Sequence, residues 1–398
     1  MACLVKKIFS KKFRGFPIYE AYQFSRRSIL KNTSHFFSSE CPKTNLKSSL
    51  CVLGIETSGH DTGAAVVNEH GTILGEGYYP QSGTLVFGDR LSSEAAKHHR
   101  IHIDKAVTEA LRKSNISPEN LSAVAVTVKP GNISTLKVGC DYGKKFALQH
   151  KLPFIPIHHM EAHALTVRME NEVKFPFVVL LVSGGHNILG IAHSINKWSI
   201  LGEDKKKLAL GALLDKIAYR LSLRKLPDLS DVIGGKAFEK VAAEGNFLRY
   251  PLPPPTTERL DPSFNFSNLQ SFVNEFIRKC EFNTDIEEGN VLDNVISGGV
   301  ASNQFLRTYF KVLCDKQGYR LLIPEPKLCT DNGVMVAWNG IEKWKAGLDI
   351  LRTEEKISAV SVEPEYPLGP NLSKECKSTK IPKLVHCTME YRYLKTYK

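Results

Sequence analysis

Cys51-Val52-Leu53-Gly54-Ile55-Glu56-Thr57-Ser58-Gly59-His60-Asp61-Thr62-Gly63-Ala64-Ala65-Val66-Val67 is the stretch whose reading decides the fold. Two runs that favour strands, Cys51–Glu56 and Ala64–Val67, flank a turn of Thr, Ser, Gly and Asp, which is the pattern of a hairpin. Hydroxyls and backbone amides in such a turn can hold phosphate oxygens, and its acidic residue can bind a metal or orient water. An ordinary polar hairpin turn has the same composition, so this stretch speaks for fold before function.

Outward from the hairpin, strand-like runs alternate with longer helical patterns, which predicts an α/β protein. Helices are expected over Ser92–Ser114, from Asn132 to about His150, over Leu208–Leu223, Lys236–Glu244 and Leu269–Cys280, from about Ser302, and from Thr330-Asp331-Asn332 onward. Strands are expected at Val124–Val128, Phe177–Val182, Ile188–Ile191 and Val291–Ile296. Pro251-Leu252-Pro253-Pro254-Pro255 reads as a rigid loop, since proline fixes φ and lacks an amide donor.

Two further turns follow buried strands. Val182-Ser183-Gly184-Gly185-His186 and Ser297-Gly298-Gly299-Val300-Ala301-Ser302-Asn303 each carry a glycine pair, where a ligand can approach the backbone and an anion can meet free amides. The second precedes a helix, whose positive end favours phosphate, and Asn303 adds a donor and an acceptor. A tight hairpin explains either turn alone; two of them suit a two-sided nucleotide cleft. His158-His159-Met160-Glu161-Ala162-His163 is sharper. His159 and His163 are four apart and share a helical face, so both can grip one metal ion, with Asp331 in Cys329-Thr330-Asp331-Asn332-Gly333 as a third candidate ligand. A zinc protease needs Glu directly after the first His. Glu161 lies two residues after His159, about 200° around a helix, and points away from the shared face.

Composition bounds the remaining classes. A chain of 398 residues with 42% hydrophobic residues is globular and long enough for two lobes. The longest apolar run, Phe175 to Ala192, is interrupted by Ser183–Asn187, so no membrane span is expected. Nine scattered cysteines without a CxxC pair argue against a disulfide framework or a zinc knuckle and fit a reducing compartment. The net charge of +12 is misleading as an argument for nucleic-acid binding, because the ends carry it. Residues 1–48 hold ten Lys/Arg against Glu20 and Glu40, and residues 371–398 hold seven against two, which leaves the body near neutral. A basic, Ser-rich, acid-poor leader is the composition of a mitochondrial transit peptide, or otherwise of a basic arm that touches nucleic acid.

Taken in order, GIETSxxDTG, HHMEAHA, LVSGGH, ISGGVASN and CTDNG resemble the TsaD-type tRNA threonylcarbamoyl transferases over roughly residues 50–345, and the leader resembles that of their mitochondrial branch. The resemblance implies the two-lobed actin/Hsp70/sugar-kinase-like (ASKHA) fold. A first lobe would span 49–160, completed by 328–350, and a second 161–327. The resemblance does not reach residues 351–398, which read as a basic tail, disordered or in contact with nucleic acid. It further implies one divalent ion per subunit, iron or zinc, on His159, His163 and Asp331. Substrate would be held by Val182, Ser183, Gly184, Gly185, His186, Asp215, Gly235, Ser302 and Asn303, and Asp61 is the candidate base. The implied reaction moves a threonylcarbamoyl group from threonylcarbamoyl-AMP, made by a separate synthase, to the exocyclic amine of adenosine 37 in tRNA, in a mitochondrial-matrix homodimer.

The chain also departs from the family pattern. His60 stands where the family has an acidic residue, and Lys205-Lys206-Lys207 occupies a region where an acidic pair is expected. Candidate tRNA-phosphate contacts are Arg90, Lys97, His98, His99, Arg100, Lys105 and Lys205–Lys207, against the plainer reading of a solvated helix face. The competing functions are an ATPase or sugar kinase of the same fold, which needs no HxxxH site, and a catalytically weakened nucleotide-binding scaffold.

Overall fold

Alternation along the first hairpin sets the layers. In the structure, a computed structural model, β1 (Cys51–Glu56) and β2 (Thr62–Asn68) pair antiparallel, with Glu56 opposite Gly63. β3 (Ile73–Tyr79) extends the sheet beside β2. On the other side of β1, β4 (Ala123–Lys129) and then β5 (Phe154–His158) add in parallel, giving the order β3-β2-β1-β4-β5. Successive side chains of a strand face opposite ways. Thus Leu53, Ile55, Val66, Val124 and Val126 pack beneath α1 (Asp89–Ser114) and α2 (Ile133–Gln149), while Val52, Ala65, Val67, Ala125 and Ile157 face the other layer. Residues 50–81, 89–183, 185–203, 209–229, 232, 234–242, 266, 269–271, 299–316 and 320–374 are described. The leader, Gly184, Lys205–Lys207, Pro251–Pro255, most of the Leu269–Cys280 helix, the Val291–Ile296 strand with Ser297 and Gly298, and the chain beyond 374 lie outside the described residues.

The three parallel strands β1, β4 and β5 all finish at the same edge, at Glu56, Lys129 and His158. α3 (His159–Leu165) begins directly after β5 at that edge. A second sheet is antiparallel, β6 (Phe177–Val182), β7 (Asn187–Ser194) and β8 (Lys197–Glu203), in that order. α4 (Leu210–Arg220) and α5 (Gly234–Ala242) pack on each other through Leu213, Ile217, Ala218 and Ala237. α6 (Gln304–Lys316) follows the 3-10 turn Gly299–Ser302.

α7 (Gly333–Ala346) is the central helix. It is buried from Gly333 to Lys343, as expected of a helix that is covered all round rather than along one stripe. Its apolar residues share one core with β1, β2, β4 and β5 and with Val179, Leu181, Ile188 and Trp198 of the second sheet. Lys343, a buried cation of this helix, has partners of its own. Lys343 bonds Asp349 at 2.7 Å and the Pro156 carbonyl at 3.1 Å, and lies 3.7 Å from Glu161. Glu161 thus faces α7, away from the histidine pair, and the geometry that argues against proteolysis holds.

Residues 351–374 differ from the sequence expectation of a tail. Leu351 pairs with Phe154 at the β5 edge, α8 (Glu354–Ala359) buries Ile357, and Asn371 bridges to Ile200 of β8. The segment continues the fold because its apolar residues have places in the core that charge counting does not reveal. No helix among the described residues is long and apolar enough to cross a membrane. The side chains of Cys51, Cys140, Cys314 and Cys329 are buried.

Candidate active site

Burial at the end of β1 builds the site. Glu56 is fully buried, and its carboxylate accepts from Ser58 N at 2.5 Å and Thr127 Oγ1 at 2.7 Å. It also lies 3.2 Å from His159 Nδ1, and Ser58 Oγ lies 3.0 Å from the same nitrogen. With Nδ1 giving its proton to the carboxylate, Nε2 of His159 presents a lone pair, the arrangement that orients metal-bound histidines. That Nε2 lies 3.2 Å from His163 Nε2 and 3.6 Å from Asp331 Oδ1, and His163 Nε2 lies 3.1 Å from the same oxygen. The two histidines therefore meet as their helical spacing predicts, and Asp331 joins them. The chemistry of the donor set fits a divalent ion: two imidazole nitrogens, one carboxylate oxygen, and all ligand atoms within 4.8 Å of one another.

The electrostatics agree. Burial opposes charge on His159, yet Glu56 and Asp331 outweigh it and raise the imidazolium to about 9. Burial would also raise Asp331, but His159 and His163 hold its carboxyl well below the usual range. His158 has a different role, since its Nδ1 accepts from Met160 N at 3.2 Å and caps α3.

The position of Asp331 is set by close backbone packing. A Cβ on Gly54 would collide with the backbone of Ala337 and Gly333, so α7 lies directly against β1. Asn332 caps this helix, its Oδ1 accepting from Met335 N at 2.9 Å. Asp331, one residue earlier, is thereby held over the hairpin turn, where a Cβ on Gly59 would come within 2.7 Å of Asp331 Oδ2.

Beside the candidate metal ligands opens a cleft of about 800 Å³. Asp215, Gly235, Ser302 and Asn303 line it, together with Tyr78, Thr330 and Asn332. Asp215 Oδ1 accepts from Gly235 N at 2.6 Å, and burial raises its carboxyl despite that bond. Asn303 Oδ1 accepts from Leu306 N at 3.0 Å, so its acceptor is engaged at the start of α6. Val182, Ser183, Gly185 and His186 do not line the cleft. They form the β6–β7 turn, in which Ser183 Oγ accepts from His186 N at 3.1 Å; Ser183 O reaches Gly211 of the cleft wall at 3.3 Å. Asp61 accepts from Tyr78 Oη at 2.5 Å and from Gln81 N at 2.9 Å. Sequence reasoning missed Tyr78, because nothing in a Gly-rich strand marks one tyrosine as the partner of a turn carboxylate.

One phosphate candidate is corrected. Lys97, Arg100 and Lys105 of α1 are exposed, but His99 is fully buried. His99 Nε2 lies 3.2 Å from Gly59 O and its Nδ1 2.8 Å from Thr62 Oγ1, so it fastens the hairpin turn from beneath. Burial lowers its imidazolium to about 4 from 6.5. A histidine depressed in the folded state contributes stability that is complete above the unfolded value and is lost as pH falls toward the folded one. Across that window the gap corresponds to about 3 kcal/mol. Between about pH 7 and pH 4 the unaltered chain should lose that much more stability than His99→Gln, as read from urea midpoints.

The fold and site define a mixed α/β protein that carries a candidate metal centre at the mouth of a cleft. Comparison with known proteins narrows this. The family model for tRNA N6-adenosine threonylcarbamoyltransferase (TsaD) matches residues 91–338. The mitochondrial tRNA N6-adenosine threonylcarbamoyltransferase of Danio rerio is 43% identical over 376 residues, spanning 84% of this chain and 92% of its own. That of Homo sapiens is 41% identical, spanning 84% and 90%. Among solved structures, component A of (R)-2-hydroxyglutaryl-CoA dehydratase from Acidaminococcus fermentans is similar, with a TM-score of 0.44 at 14% identity, covering 74% of this chain and 99% of its own. The chain belongs to the tRNA N6-adenosine threonylcarbamoyltransferase family.

Proposed function

We propose that this chain transfers the threonylcarbamoyl group of threonylcarbamoyl-AMP to the exocyclic amine of adenosine 37 in mitochondrial tRNAs that read codons beginning with A. The carrying observation is the convergence of His159, His163 and Asp331 beside a cleft lined by Asp215, Gly235, Ser302 and Asn303.

In the reaction the amine nitrogen bonds to the carbamoyl carbon, the carbon–oxygen bond to the phosphate breaks, AMP departs, and the amine gives up one proton. When bound, a divalent ion, iron or zinc on this donor set, supplies Lewis-acid polarisation of the carbonyl or charge neutralisation at the phosphate. Glu56 and Ser58 fix the tautomer of His159. The cleft walls hold both reactants at reacting distance, which lowers the entropic part of the barrier. Asp61, steadied by Tyr78 and Gln81 N at the cleft side of the turn, is the proposed acceptor of the proton. Ser183 meets the cleft wall through Gly211 N, which supports a place for the β6–β7 turn at the rim of the substrate site.

The relatives' names and the basic, acid-poor leader support a mitochondrial location, in the matrix. The adenylate would come from a separate synthase, and the working unit would be a homodimer. The test supplies the chain with threonylcarbamoyl-AMP and unmodified tRNA and reads nucleosides by mass spectrometry. Threonylcarbamoyladenosine at position 37 is expected. ATP hydrolysis with no modified nucleoside would move the assignment to the ATPase or kinase reading, and nucleotide binding with neither activity to the scaffold.

A further inference from the structure

The chain between Val362 and Leu372 ties the two sheets together and does so at the back of the metal ligands. At one end Glu363 N donates to Val128 O at 3.0 Å and Gly131 N donates to Pro364 O at 3.2 Å, so the segment lies along the finish of β4. At the other end Ile200 N donates to Pro370 O at 2.8 Å and Leu372 N to Ile200 O at 2.7 Å, along the edge of β8. Between these ends Leu368 is buried in the core shared by both sheets, and a Cβ on Gly369 would collide with the Trp198 backbone. Lys129 Nζ sits 3.5 Å above the Tyr366 ring and 3.2 Å from Glu363.

Two short paths lead from this segment to His159 and His163. In the first, His158 Nδ1 must accept from the Met160 amide, so Nε2 carries the proton and donates to Tyr366 O at 3.3 Å. That bond holds the cap of α3, the helix that bears both histidines. In the second, Gly131 lies so close to the hairpin turn that a Cβ there would come within 2.9 Å of Ser58 O, and Asn132 N donates to that oxygen at 3.2 Å. Ser58 Oγ in turn lies 3.0 Å from His159 Nδ1.

We propose that residues 362–372 form a strap that positions the metal-holding histidines, with His158 and Ser58 as the positioning residues through which it acts. The proposal rests on the metal reading of His159, His163 and Asp331. It assigns a role to a segment that follows residues 91–338, those matched by the family model. Partners outside the coordinating set usually change metal affinity by about 10- to 100-fold, and a strap that sets two such paths falls in that range.

The test titrates the full chain with cobalt(II) alone and follows its visible absorption, which reports both affinity and coordination geometry. Glu363→Pro removes the amide that bonds Val128 O, and Gly369→Val forces the segment from Trp198. Ile357→Ala opens the core under α8, away from both paths, and is matched to the strap variants by melting temperature. The expected result is cobalt affinity at least about tenfold weaker, with an altered spectrum, in both strap variants but not in Ile357→Ala. Unchanged affinity in the strap variants, or equal loss in Ile357→Ala, overturns the proposal while the metal reading stands. No cobalt uptake by the unaltered chain, or uptake that survives His163→Ala, overturns the metal reading and the proposal with it.

Discussion

His163→Ala is expected to abolish retention of the divalent ion and to lower threonylcarbamoyl transfer by about 10²- to 10⁴-fold. The magnitude follows from the several kcal/mol that a Lewis acid contributes to a charged transition state, at about 1.4 kcal/mol per decade of rate. His163 is the informative position because its side chain is fully buried and its Nε2 faces both other ligands, at 3.2 and 3.1 Å. Alanine there keeps the helix, since Ala favours helices and His163 closes no cap. The variant should therefore keep its helical fold, with circular dichroism as the control. Metal content by mass spectrometry, with single-turnover transfer on the same samples, checks the prediction. Full transfer by a variant that retains no metal would remove the ion from the mechanism.

Much of this site is legible in the sequence, for one reason. His159 and His163 are four residues apart on one helix, and helical geometry alone places them together. The third ligand sits 168 residues beyond His163, and spacing cannot place it. What brings Asp331 to the histidines is tertiary: β5 delivers His159 to the sheet edge where β1 ends, and α7 rests on β1 at Gly54. The family pattern supplies that link, and local chemistry does not.

The misses also have particular causes. β5 contains Pro156, which reads as a strand breaker; it is tolerated because β5 lies at the end of its sheet, where a missing amide can go unpaired. β3 contains Gly75 and Gly77, which weaken a strand pattern. They are required because a Cβ at either would strike the backbone of α1 at Ala110 or Ala106. His99 reads as one of a basic cluster, and only the fold shows that it points inward to Thr62 while Arg100 points outward. Charge in a sequence has no direction until the helix phase and its cover are known.

Gly54→Val is expected to be the most damaging single substitution outside the candidate ligands, because of what this glycine touches. Gly54 and Gly185 look equally permissive in the sequence. Around Gly185 an added Cβ meets nothing within 4 Å, so Gly185→Ala should leave melting unchanged. At Gly54 the added carbon overlaps the backbone of Ala337 and Gly333, and backbone of a buried helix cannot turn aside as a flexible side chain can. The helix must lift from β1, which opens the core around Val334, Met335 and Ile341 and displaces Asn332 and Asp331 at its start. Overpacking of this kind costs about 1–3 kcal/mol or somewhat more, so in a chain of this size the melting temperature should fall by roughly 2–5 °C. Stability and metal uptake are expected to fail together, because one helix carries both the core contact and the cap beside the third ligand. A Gly54→Val chain that melts as much lower as expected yet binds metal normally would show that Asp331 is held by the hairpin turn rather than by α7. Thermal melting of Gly54→Val and Gly185→Ala, each followed by metal titration, separates those two supports.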